Sequence, residues 1–511
     1  MIKLIKNKFF LFFFALILGV LSSFSLPPYN IYLINFFTLN FIFVSMVNNE
    51  ALKNKANSFL YGWMFGFGYF ISSLYWIAIS LTFDTDLTFL IPIALILIPS
   101  FLAIFFAIPI FIFSFFLKFN SVVLVLIFSV LLGSFEFLRG NILTGFPWNL
   151  FIYSFSNKLS FIQSLSIFGT YGLNLICITF FLIPSIFILK KKKFEIVISI
   201  VLLLIFISFF SLGKKRLNNN ESSILLNKGQ IIKVISSTIA IERFYNEEKE
   251  IEIVKELLKK SKSDKYLPTI FIWPEGVLTS SFLKDIKKYQ DLFEENFKKD
   301  DLIVLGINDI KYENEIRIYN SLAILDSKLN VVSLYYKNKL VPFGEFMPLE
   351  KLLNKIGLKK VTNNYQSYSH GDKREIININ NLKILPLICY EIIYSGELSN
   401  NNNYDLIINI SEDGWFGQSI GPSQHFIHSI FRSIEEGKNI IRSSNNGPSA
   451  LINPKGKVLK FNESTESGVI RIINLEKSHK NTFFSQYKNN IFFYLLGFYI
   501  TLIFFLKRIG R

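Results

Sequence analysis

Apolar positions follow two different patterns along this chain. Through residues 1–213 they form long runs with few charges, at about Phe9–Leu26, Ile31–Val47, Phe59–Leu81, Leu87–Leu117, Val122–Leu138, Leu159–Leu189 and Ile196–Leu212. One more run, Ile491–Leu506, closes the chain. Runs of this length predict roughly eight membrane-spanning helices. The first begins with Lys3, Lys6 and Lys8, as a signal peptide would. Further apolar runs follow it, so it predicts an uncleaved anchor.

Between residues 229 and 480 the pattern shortens and alternates. Strands are predicted at Ile231–Ile239, Thr269–Trp273, Leu302–Asn308, Ile384–Ile388, Asp405–Asn409 and Ser449–Pro454, with a hairpin of Ile318–Leu325 and Val331–Tyr336. Helices are predicted at Asn246–Lys262, Phe282–Phe297 and Ser423–Ile441. This alternation describes a layered α/β domain. The Asn- and Ser-rich stretch up to residue 228 reads as a linker. The organisation is therefore a seven-span domain (1–213), a linker (214–228), an α/β domain (229–480), and a closing span with a basic tail (481–511).

Composition supports a membrane fraction. Of 511 residues, 51% are hydrophobic and 57 are Phe, and the mean hydropathy is +0.39, high for a purely soluble chain. The net charge of +16 is scattered, and many Lys sit at the ends of apolar runs. That favours anionic phospholipid headgroups over nucleic acid as the partner. Basic residues after the second run (Lys53, Lys55), the fourth (Lys118) and the sixth (Lys190–Lys193) fall on one side under strict alternation, together with the N-terminus. By the positive-inside rule that side is the cytoplasm. The α/β domain then faces outward, with Lys214, Lys215 and Arg216 as the one discordant cluster. The two cysteines, Cys177 in an apolar run and Cys389 in the polar region, predict no disulfide.

Three strand ends carry candidate chemistry. Cys389 ends the apolar run Ile384–Ile388 and precedes Tyr390 and Glu391, which places a thiol at the tip of a buried strand. Glu275 follows Trp273-Pro274, where a carboxylate among apolar walls suits general-base work. Lys337 follows Tyr335-Tyr336, where a cation can stabilise an oxyanion, and Glu345 in Pro342-Phe343-Gly344-Glu345 can orient it. Taken singly, each has a blander reading: an inert core thiol, a carboxylate in the first turn of a helix, a solvated lysine, a turn carboxylate. Trp415 and Phe416, between Gly414 and Gly417, suit a lipid contact or a lid, or else a packed loop. The four His form no metal set.

In order and context these residues resemble the Glu-Lys-Cys centre of the nitrilase (carbon–nitrogen hydrolase) superfamily. The whole chain resembles its membrane-embedded branch, the bacterial apolipoprotein N-acyltransferases. The resemblance rests on Trp273-Pro-Glu275, Lys337 before Leu340-Val-Pro-Phe-Gly-Glu345, Cys389-Tyr390-Glu391, Gly414-Trp415-Phe416-Gly417, Ser419 to His425, and Arg442 to Gly447. In the apolar region it rests on Glu136 to Gly140, Leu143 to Trp148, and Gly169 to Gly172. It implies a polytopic α-helical membrane domain plus an αββα sandwich, acting as a monomer at the inner membrane with no cofactor or metal. It also implies Glu275 as base, Lys337 as cation and Cys389 as nucleophile, supported by Glu345, Tyr390 and Glu391, with Trp415 on a loop near the substrate entrance. Arg139 is a candidate for holding phosphate.

The implied reaction moves an acyl chain from the sn-1 position of a phospholipid, through a Cys389 thioester, to the α-amine of a diacylglyceryl-cysteine on a lipoprotein. The family's usual Trp after the first strand is replaced near Phe244–Tyr245, and an Asn common before Asp413 is Glu412 here. A membrane-tethered hydrolase and a transporter with an inert polar domain are the rival readings. The rarity of buried charges in the spans, Glu136 and Arg139 aside, speaks against the transporter.

Overall fold

The computed structural model describes residues 8–190, 192–219, 223–224, 229–245, 249–312, 315–348, 367–399, 401–477 and 481–509, without the side chains of 223, 224, 245, 476, 477 and 509. Lys3, Lys6, His479, much of the expected linker and the Tyr245 side chain lie outside the described residues. The chain divides into two compact units, Met1–Asn220 with Thr482–Arg511, and Glu221–Asn481.

The first unit is helical. Five helices among the described residues are long and apolar enough to cross a membrane, or six if Lys55–Ser73 and Tyr75–Phe83, bent by 46°, make one span. Lys8–Ser23 and Leu33–Asn48 are apolar but have only 16 residues each. At 1.5 Å per residue they reach about 24 Å against a hydrocarbon core of about 30 Å. Among the described residues, the count of full-length spans is therefore five or six, short of the expected eight, and Lys8–Ser23 begins at the first described residue. Small residues bring the helices together. A Cβ at Gly68 would stand 2.1 Å from the Leu16 carbonyl oxygen, and one at Gly19 would stand 2.0 Å from that of Phe65, so only glycine permits this approach. Helix Lys193–Asn218 leaves Val197, Val201, Leu204 and Leu212 exposed, an apolar face suited to lipid. It also takes in Lys214, Lys215 and Arg216, which were expected in the linker, as cations at its C-terminal end.

Besides a two-stranded antiparallel pair of Ser223–Ile224 and Glu476–Lys477, the second unit holds two large sheets. One has seven strands: Gly468–Ile472, Ile231–Ser236, Thr269–Ile272, Leu302–Tyr312, Ile316–Asp326 and Val331–Tyr336 lie in that order, and Leu278–Phe282 also pairs with Leu302–Tyr312. The other has six, in the order Val458–Asn462, Ser449–Ile452, Asn439–Asn445, Leu406–Glu412, Leu382–Ile388 and Ile377–Ile379. Side chains alternate across each strand. Ile270 and Ile272 join Ile384, Ile408 and Ile441 in the core between the sheets. Phe271 and Trp273 point the other way, to Val254, Leu257 and Phe293 of the covering helices Glu250–Lys260 and Gln290–Asn296. Helix Gly421–Glu436, with Phe431 and Ile434 buried, packs against Asn439–Asn445 and Ser449–Ile452 of the other sheet. The result is an αββα sandwich.

The expected helix Ser423–Ile441 stops early. Gly437 caps it in the left-handed region at φ 64°, and Asn439–Asn445 becomes a parallel strand against Leu406–Glu412. That strand is buried throughout, so it shows no alternation that a sequence pattern could reveal.

Candidate active site

The site lies where strands of both sheets end. Leu382–Ile388 and Leu406–Glu412 run parallel, with Ile388 opposite Ile410, so their C-terminal ends release Cys389 and the 412–417 loop side by side. Cys389 begins a short 3-10 turn, Cys389–Ile393, at φ +48°. A non-glycine residue rarely holds that backbone conformation, and strain of this kind gathers at functional positions. From the other sheet, Glu275 follows Thr269–Ile272 and Lys337 follows Val331–Tyr336. Gly306 lets the Glu275 segment cross its neighbour, because a Cβ there would stand 2.8 Å from Glu275 Cα.

Lys337 is buried between two carboxylates. Its Nζ donates to Glu275 Oε1 at 3.2 Å and to Glu345 Oε1 at 2.8 Å. Asn320 Nδ2 spans the same two oxygens at 2.8 Å each. The Glu412 backbone N–H donates to Glu275 Oε2 at 3.0 Å, and that of Val341 to Glu345 Oε2 at 2.8 Å. Burial alone would lower the Lys337 pKa, but the Glu275 and Glu345 carboxylates outweigh it and hold the ammonium well above its ordinary value. For the Cys389 thiol, burial and then the Glu275 carboxylate push the pKa well up, with Lys337 opposing them. Cys389 keeps some surface to solvent, but the groups facing its sulfur are buried.

Glu391 points away from this chemistry and ties its supports together. It accepts from Tyr335 Oη at 2.7 Å, the Asn338 and Lys339 N–H groups at 2.9 and 3.1 Å, Arg374 Nη2 at 2.7 Å and the Ile388 N–H at 2.8 Å. Burial would raise its carboxyl, but Arg374 and these donors hold it below the usual range. Glu391 thus pins the turn after Lys337 to the residue before Cys389. Tyr390 is buried, with its ring 5.5 Å from that of Tyr394.

Several neighbours were not singled out by the sequence. Asp413 accepts from Arg442 Nη2 at 2.7 and 2.9 Å and from Ser411 at 2.7 Å, and it pairs with His425 Nδ1 at 2.9 Å. Cys389, Asp413 and His425 bring their potential ligand atoms within 4.8 Å of one another, although the sequence suggested no such set. Arg442 already neutralises Asp413, and a cation there would face that guanidinium. Burial first, and Arg442 after it, keep the His425 pKa low. Asn320 lies on the strand paired with that leading to Lys337, and Asp413 follows the strand paired with that leading to Cys389, so strand register brings them to the site.

Trp415 and Phe416 are half-buried, as the packed-loop reading expects: the Trp415 ring lies 5.0 Å from Phe244 and the Phe416 ring 5.6 Å from His425. Arg139, expected at a phosphate, is buried in the helical unit. It donates to the carbonyls of Phe146 at 2.7 Å and Asn149 at 3.3 Å, and it stands 3.9 Å from Glu136. Those contacts fasten a helix end and leave the phosphate role without support.

Residues 18–183 match the Apolipoprotein N-acyltransferase N-terminal domain, and residues 270–476 match the Carbon-nitrogen hydrolase family. An apolipoprotein N-acyltransferase of Rickettsia prowazekii (strain Madrid E) is 33% identical over 503 residues, covering 96% of this chain and 98% of the relative. One from Rhodopseudomonas palustris is 30% identical over 467 residues, covering 87% and 86%. An amidase from Nesterenkonia sp. AN1 aligns with 50% of this chain and 93% of its own, at 13% identity and a TM-score of 0.35. On the near full-length likeness to these acyltransferases, the chain belongs to the apolipoprotein N-acyltransferase family of membrane acyltransferases.

Proposed function

We propose that Cys389, Glu275 and Lys337 carry out lipoprotein N-acylation in two steps, with a membrane phospholipid as donor. Glu275 takes the thiol proton as the sulfur of Cys389 attacks the sn-1 ester carbonyl. The Lys337 ammonium stabilises the oxyanion. The tetrahedral intermediate collapses, lysophospholipid leaves with the proton from Glu275, and a thioester remains on Cys389. The α-amine of a diacylglyceryl-cysteine then attacks that thioester, gives up a proton through Glu275, and releases the N-acylated lipoprotein and the free thiol.

The observation that carries this reading is the buried Lys337 bridging Glu275 and Glu345 beside a thiol at a strained strand end. In this reading the monomer sits in the inner membrane with residues 229–480 outside the cytoplasm, as the alternation of Lys clusters suggests. Intact-mass measurement of the full chain in micelles containing a diacyl phospholipid tests it. The mass of one acyl chain should appear on the wild-type protein and not on Cys389→Ser. Equal adducts on both proteins would remove the nucleophile assignment.

A further inference from the structure

Arg243 lies outside the Glu-Lys-Cys set, yet its guanidinium is buried and fully committed. Nε donates to the carbonyl of Gly276 at 2.9 Å, and Nη1 to those of Ile239 at 3.2 Å and Ala240 at 2.9 Å. Nη2 is paired with Glu412 Oε2. Gly276 is the residue after Glu275. The Glu412 backbone N–H is the donor to Glu275 Oε2, at 3.0 Å. Arg243 therefore holds the residue after Glu275 and the side chain of Glu412, whose backbone N–H holds Oε2, while Lys337 and Asn320 hold Oε1. Glu412 also accepts from Asn445 Nδ2 at 2.7 Å and from the Gly414 N–H at 2.7 Å, which fixes the start of the loop bearing Trp415. The Phe244 ring closes the assembly, with the Arg243 guanidinium 4.6 Å from its centre and Trp415 5.0 Å away.

A buried ion pair is a poor way to gain stability, since desolvation consumes most of the attraction. Its worth here lies in geometry. We propose that Arg243 and Glu412 form a positioning pair that aims Glu275 at the thiol and couples its aim to the Trp415 loop. This rests on the assignment of Glu275 as the base. Neither residue touches the reacting atoms; each acts through Glu275.

The test is the rate of Cys389 acylation in the full chain, read by intact mass in mixed micelles of detergent and a diacyl phosphatidylglycerol. Arg243→Gln should slow acylation at saturating lipid by about 10- to 100-fold, the penalty of a misplaced catalytic group. The half-saturating lipid concentration should not move, because no lipid contact is lost. In a Glu275→Asp background, where the shortened carboxylate cannot reach the Glu412 N–H, Arg243→Gln should add about threefold or less. Full multiplication of the two losses would overturn the positioning role. Glu275→Gln separates the two ideas: if it acylates normally, the base assignment fails and takes this proposal with it. Arg243→Gln/Glu412→Gln removes both charges and so avoids a stranded buried carboxylate. It should keep wild-type abundance and still acylate at least tenfold slowly, and a normal rate in that variant would also overturn the proposal.

Discussion

Replacing Lys337 with Met removes the ammonium and keeps most of the side-chain volume. Each carboxylate oxygen lies about 3 Å from Nζ, which at an effective dielectric of about 20 corresponds to roughly 5–6 kcal/mol of attraction per contact. Desolvation of all three groups offsets much of that, and removing one partner of a buried pair has a net cost of about 3–5 kcal/mol. Two carboxylates would then share Asn320 with no cation between them. The oxyanion loses its charged donor, worth about 10²–10³ in rate. Lys337→Met should therefore melt earlier in the same detergent and acylate more than about 100-fold slowly. Its thiol should also become harder to ionise, because Lys337 is the cation that opposes burial and Glu275 at Cys389. Iodoacetamide alkylation of Cys389 across pH reads this directly. The midpoint should move up in Lys337→Met and down in Glu275→Gln, which removes the anion. Shifts of the same sign in both variants, or an acylation rate within threefold of wild type, would refute the electrostatic account.

Three further outcomes are expected. Glu391→Gln should lose about 3–5 kcal/mol, since it strands the buried Arg374; thermal melting of the purified chain measures this. Because the Glu391 carboxyl is held low in the fold, its contribution is present above the unfolded carboxylate pKa of about 4.3 and is lost as pH falls through the folded value. The wild type should then lose its stability advantage over Glu391→Gln on acidification, and a constant gap down to pH 3 would contradict this. Gly306→Ala should slow acylation more than tenfold at normal lipid affinity, because its Cβ would displace Glu275; a kinetic comparison at saturating lipid decides it. An impermeant lysine reagent applied to spheroplasts should label the exposed Lys255 and Lys259, and labelling only after lysis would invert the proposed topology.

The strand ends were legible because an apolar run that stops at a polar side chain marks where a buried strand leaves the core. Ile384–Ile388 followed by Cys389 is such a case, and Leu382–Ile388 is the strand observed. Residues buried on both sides were harder to read. Ile441 stands seven residues after Ile434 and so continues the helical spacing, and only Gly437 marks the break before the strand Asn439–Asn445. The short apolar helices Lys8–Ser23 and Leu33–Asn48 show the converse: hydropathy marks an apolar run, while the chain turns away from the helix after Ser23 and after Asn48. Polar partners supplied by neighbouring strands and turns left no local trace. Asn320 reads as one more polar residue within a strand, and Arg243 as one more surface cation, until the fold brings one to Glu275 and the other to the Gly276 carbonyl.

The charge count around Lys337 explains why a thiol with a raised pKa suits this site. At rest two carboxylates and one ammonium face each other, a net of −1 beside the sulfur, and a thiolate added to that would be repelled. In the proposed mechanism, proton transfer from Cys389 to Glu275 avoids the difficulty. The thiolate gains the charge that Glu275 gives up, and the local sum stays at −1. Lys337 keeps Glu345 as its constant partner at 2.8 Å and exchanges its longer contact, 3.2 Å to Glu275, for the developing anion. The longer contact is therefore the one that must yield, and the firmer one keeps the ammonium in place while it does. In the proposed second step the same exchange would run backwards as the thioester is cleaved, so one fixed cation would serve both half-reactions. The sulfur need carry charge only while an acyl group is arriving or leaving.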